Sequence, residues 1–120
     1  MNPRVAWRIA AIAGLLAVAL GAFGAHGLKD ILAKHQTREI WNTAVFYHAI
    51  HAVMLFVLSS RSPVSTGAWC AFLVGIVIFS GSLYLLALTN QRWLGAITPL
   101  GGVSFLLGWL WLAVSPGNRP

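Results

Sequence analysis

No Asp, Glu, Lys or Arg interrupts residues 9–25, 41–60, 67–88 or 94–114. At a helical rise of ~1.5 Å per residue the last three runs span a hydrocarbon layer of ~30 Å, and the first lies at the short end of the ~17–25 residues that a crossing helix uses. Inside a bilayer every backbone N–H and C=O must be paired within the protein, so runs of this length are restricted to helices. Composition agrees: 58% of residues are hydrophobic and 8% charged, against about 25% charged in ordinary soluble domains. The expected fold is an all-α membrane protein whose four transmembrane helices lie near residues 7–25, 40–60, 67–88 and 94–114. A short amphipathic interfacial helix is expected near 28–37, and residues 1–120 are expected to form one integral membrane domain.

The net charge of +6 arises because the chain has only two acids, Asp30 and Glu39, not because its bases cluster. Single Lys and Arg residues at segment ends suit phospholipid headgroups, and a nucleic-acid footprint would need a dense basic face. One cysteine, Cys70, excludes an intramolecular disulfide and a Cys-rich metal knuckle.

Arg4 and Arg8 precede the first apolar run, which a cleaved signal peptide would also show. The run is long for a signal core, and Ala13, Ala17, Gly21 and Ala25 recur every four residues, so a retained helix with a small-residue packing face is expected. His26-Gly27 supplies a stop. Leu28, Ile31 and Leu32 then share a face opposite Lys29, Asp30 and Lys34, the pattern of a helix lying in the headgroup plane. Thr37 is expected to cap the second span, with Glu39 in its first turn and Trp41 at the membrane interface. Gly67, Ala71 and Gly75 give the third span its own small stripe, and Ser80, Ser82 and Tyr84 a mildly polar patch. In the fourth, Pro99 removes the hydrogen bond to the Gly95 carbonyl, which predicts a kink.

Four spans put both termini on one side. Arg4, Arg8, Arg61 and Arg119 then face Lys29, Lys34, Arg38 and Arg92 across the membrane, a tie that leaves orientation and dual insertion open. Arg4 and Arg8 ahead of the first span tip the expectation to cytoplasmic termini in a cell (inner) membrane.

Tyr47, His48 and His51 stand in the middle of the second run. Titratable groups at that depth normally face the bundle interior and find partners there. A neutral, hydrogen-bonded histidine serves as interhelical glue, and a histidine that changes charge serves a proton relay. A metal site would have to recruit His26 from the surface, and no carboxylate or Cys joins it within the membrane. Haem would want histidines on facing helices, whereas both deep ones share a helix. No span carries an Asp or Glu, unlike the small multidrug exporters, and no nucleophile, base and orienting acid are set together. No cofactor is therefore expected.

Four blocks carry a resemblance: Gly21-Ala-Phe-Gly-Ala-His-Gly-Leu28; Trp41-x-Thr-Ala-Val-x-Tyr-His-x-x-His-Ala52; Phe79-Ser-Gly-Ser-Leu-Tyr84; and Gly95-x-x-Thr-Pro-Leu-Gly-Gly102 with Gly108-Trp109. Together they resemble the YgdD-like and YwdK-like family of small multi-pass membrane proteins, bacterial inner-membrane proteins with eukaryotic relatives and classed as a domain of unknown function. The resemblance implies that the first helix is retained. It also implies that a Gln usually stands where this chain has His48, which favours His51 and Tyr47 over a two-histidine mechanism. It implies no activity, substrate or cofactor.

The expected function is a non-enzymatic assembly or accessory component of the membrane, with lipid, a second copy or other membrane proteins as partners. The alternative is a small proton-coupled transporter-like bundle using the midplane His/Tyr pair. Transport requires a polar cavity around Tyr47, His51 and the Ser80–Tyr84 patch; assembly requires those groups bonded in a dry core.

Overall fold

Asn2 starts the first helix, its side-chain oxygen accepting from the backbone N–H groups of Arg4 and Val5 with Pro3 in the first turn. Helix α1 therefore covers Pro3–Ala25, beginning ahead of the hydrophobic run that marks it in sequence. The structure, a computed structural model, describes residues 1–116, so Arg119 lies outside the described residues. The chain turns at His26, where Leu28 N–H reaches back to the Phe23 carbonyl at 2.8 Å.

Helix α2 follows over Lys29–His35, with Leu32 fully buried and Lys29, Asp30 and Lys34 exposed. It ends at Gln36, whose φ of 55° is left-handed, and α3 runs over Arg38–Ser59. Thr37 occupies the cap position but does not cap: its hydroxyl donates instead to the Ala87 carbonyl at 2.8 Å. The distant carbonyl wins because Thr37 is fully buried against the third span. His35 Nδ1 lies 3.1 Å from that same carbonyl, and Arg92 donates to the His35 carbonyl. Helix α2 is thereby tied to the end of the third span.

That span is not one uniform helix. It comprises α4 (Thr66–Gly75), a π-helical segment (Ile76–Ser80) and α5 (Gly81–Thr89), closed by Asn90 at φ 56°. The fourth apolar run opens with a 3₁₀ segment, Arg92–Ala96, and continues as α6, Thr98–Val114. Pro99 thus stands in the first turn of α6, where its missing N–H leaves no helical bond unmade, and the expected kink at Gly95 is a helix boundary. Among the described residues four helical segments are long and apolar enough to cross a membrane: Pro3–Ala25, Arg38–Ser59, Thr66–Thr89 and Arg92–Val114.

Helix α1 packs on α3, α3 on the third span, and the third span on α6. Close approaches at glycines hold this order. Gly24 of α1 lies under the Trp41 indole of α3, in space a Cβ would occupy, and Gly101 of α6 lies against the backbone of Phe79 in the π segment. Leu15, Val18, Val77, Leu106 and Val114 point outward, as lipid-facing side chains should.

Candidate functional site

The polar groups of the second span divide between two separate clusters. His48 is buried, and its Nε2 lies 2.9 Å from the Ala13 carbonyl of α1 while its Nδ1 lies 2.7 Å from the Tyr84 hydroxyl of α5. A carbonyl only accepts, so Nε2 carries the proton, and in the neutral ring Nδ1 accepts from the Tyr84 O–H. One side chain therefore joins three helices. Ala13 and Ala17 are both buried on this face of α1, and their small side chains let α3 come close enough for His48 to reach the Ala13 carbonyl.

His51 is equally buried, but turned the other way. Its Nδ1 lies 2.7 Å from the Tyr47 carbonyl on its own helix, and its Nε2 accepts the Trp109 indole N–H of α6 at 3.0 Å. Indole N–H is only a donor and a carbonyl only an acceptor, so His51 is the neutral Nδ1–H tautomer, opposite to His48. The Phe105 ring stacks on it at 3.7 Å between centroids, and Phe72 packs beside it.

Helices α1 and α3 are tied at two levels. The Trp41 indole donates to the Leu20 carbonyl at 3.0 Å, and His48 to Ala13. From Trp41 to His48 is seven residues (48 − 41), and from Ala13 to Leu20 also seven (20 − 13), so the ties recur every two turns of an antiparallel pair. Trp41, expected at the membrane interface, is instead 1% exposed and packed on Tyr84 at 4.7 Å. Trp7, Trp93 and Trp111, exposed near the ends of their spans, are indoles placed for the interface.

Other expected site residues separate. Tyr47 is exposed, its ring against Phe79 and parallel to that of His51 at 6.3 Å, and so it belongs to the outer edge of the second cluster. His26 is exposed at the end of α1, away from both deep histidines. Ser80, fully buried in the π segment, donates to the Ala44 carbonyl of α3 at 2.8 Å. Ser82 faces the other way and bonds Thr98 at 2.6 Å. Among the described residues no three His, Cys, Asp or Glu side chains stand close enough to share a metal ion.

The small stripe is shifted from its expected course. Ala13 and Ala17 are buried, Gly21 is half-buried, and Ala25 is exposed, while Ala6, Ala10 and Gly24 complete the buried row. A strict spacing of four drifts ~40° per step around a helix of 3.6 residues per turn, which carries the last member out of the contact. Nor is His51 the central residue of its helix. With α3 starting at Arg38, the midpoint of its 22 residues falls beside His48.

Among the described residues the most pronounced cavities lie near the ends of the helices, and their linings do not include His48, His51 or Tyr84. Trp109 is the site residue whose role the sequence hid. An indole on a mostly exposed helix looks like an interfacial anchor, and the signal for it was only that a buried histidine needs a donor.

Residues 20–102 match a protein family described as "Protein of unknown function (DUF423)". The chain is 48% identical to the UPF0382 membrane protein YwdK of Bacillus subtilis, covering 89% of this chain and 91% of that one. It is 40% identical to the UPF0382 inner membrane protein YgdD of Escherichia coli, covering 95% and 90%. A UPF0382 membrane protein of Schizosaccharomyces pombe is 34% identical, covering 90% and 98%. No solved structure matches the chain.

Proposed function

Starting from the fact that the chain belongs to the DUF423 family of uncharacterised multi-pass membrane proteins, we propose that it is a non-enzymatic assembly or accessory component of the membrane. One observation carries this reading: in both deep histidines each ring nitrogen is already engaged by an internal partner. A relay needs partners that both take and give a proton, whereas the Ala13 and Tyr47 carbonyls only accept and the Trp109 indole only donates, so these bonds suit a tying histidine. The aromatic packing about His51 favours the same reading, with Phe105 stacked on its ring and Phe72 beside it.

Cytoplasmic termini belong to the proposal, on the strength of Arg4 and Arg8 ahead of the first span. A compartment-sensitive reporter at the C-terminus reads this out. The test of the main reading is proton flux into vesicles loaded with a pH-sensitive dye. Purified protein should leak no faster than empty vesicles under an imposed gradient. A flux abolished by His51→Gln or His48→Gln would overturn the assembly reading in favour of proton-coupled transport.

A further inference from the structure

Where α1, α2 and α3 meet, a cavity of about 280 Å³ is lined by Gly21, Gly24, Ala25, Lys29, Arg38 and Asn42. Three features of its lining narrow what it suits. It holds two cations and an amide and no acid, so it favours an anion. Ala25 closes the first span and Arg38 opens the second, which sets the cavity at the depth of the lipid headgroups. Its volume is below that of pockets for drug-sized molecules, about 300–1,000 Å³, and suits a group the size of a phosphate with a few attached atoms.

We propose that this cavity is a phosphate site, with Arg38 and Lys29 neutralising the anion and the Asn42 amide donating to it. Guanidinium binds phosphate oxygens in pairs and ammonium serves as a point charge, while Gly21, Gly24 and Ala25 form the uncharged α1 wall of the cavity. Arg38 also borders the neighbouring cavity, where Glu39 stands, so Lys29 is the cation that belongs to the phosphate cavity alone. The phosphate comes from an anionic phospholipid or from free phosphate, the chemistry being shared.

Native mass spectrometry of the detergent-purified protein tests this with dioleoylphosphatidylglycerol, dioleoylphosphatidylcholine and inorganic phosphate as probes. Phosphatidylglycerol should bind at least about tenfold tighter than phosphatidylcholine, and neutralising either cation by Lys29→Gln or Arg38→Gln should weaken it about tenfold. Ala25→Leu, which fills the cavity and leaves every charge in place, should weaken it as well. Arg4→Gln/Arg8→Gln removes two charges at the opposite end and should leave binding unchanged. Competition by millimolar inorganic phosphate assigns the site to free phosphate, and its absence assigns it to the lipid. The proposal is overturned if neither probe binds above the phosphatidylcholine level, or if Arg4→Gln/Arg8→Gln weakens binding as much as the cavity variants.

Discussion

The Trp109 indole N–H donates to His51 Nε2 at 3.0 Å and thereby joins α6 to α3, two helices whose main packing runs through the third span between them. The bond also sets the tautomer of His51, since the nitrogen facing an indole N–H has to be the unprotonated one. Removing the donor should cost more than the loss of ring area. Trp109→Phe keeps an aromatic ring against Phe72 but leaves His51 Nε2 without a partner. A destabilisation of about 1–3 kcal/mol is expected, read as a lowered midpoint of thermal unfolding in detergent. In a double-mutant cycle with His51→Leu, the two changes should be clearly less than additive, and full additivity would show that the bond carries nothing.

His48 makes a finer test, because a glutamine can reproduce its pattern. An amide NH₂ donates to the Ala13 carbonyl while the amide oxygen accepts from Tyr84, so His48→Gln should change stability by less than about 1 kcal/mol. His48→Leu keeps the bulk, strands the Tyr84 hydroxyl and should cost about 1–2 kcal/mol. Equal stability of the two variants would remove His48 as a tie between helices.

Glycine substitutions separate close contact from mere position in a helix. Nothing stands within 4 Å of a Cβ added at Gly14, so Gly14→Ala should be neutral or stabilise by up to about 1 kcal/mol. At Gly24 the same methyl group meets the Trp41 indole, and at Gly101 it meets the backbone of Phe79. Gly24→Ala should destabilise by about 1–3 kcal/mol and Gly101→Ala by at least as much, since backbone yields less readily than a ring. Gly21 is the milder site, its added Cβ reaching Val45 at 3.4 Å, an ordinary contact. Thermal unfolding of the purified variants gives the order directly.

What the amino-acid sequence determined by itself was the class of fold and the number of membrane-spanning helices. Those follow from the length and polarity of uninterrupted runs, which are local properties and need no knowledge of neighbours. The presence of α2 and the stop at His26 were legible for the same reason, whereas the midplane place expected of His51 falls nearer His48 once α3 is seen to start at Arg38. The pairing of side chains was decided only in the tertiary structure. Thr37 had a local use as a cap and spends its hydroxyl on Ala87, fifty residues away. Trp41 looked like an interfacial ring and is buried between α1, α3 and α5. Ser80 and Ser82, two residues apart and so about 200° apart around their helix, face opposite neighbours, and only the packing decides that these are the Ala44 carbonyl and the Thr98 hydroxyl. Composition and periodicity describe how one helix looks from outside. Which carbonyl a buried donor reaches depends on where the next helix presents its own backbone, and that is a property of the packed bundle.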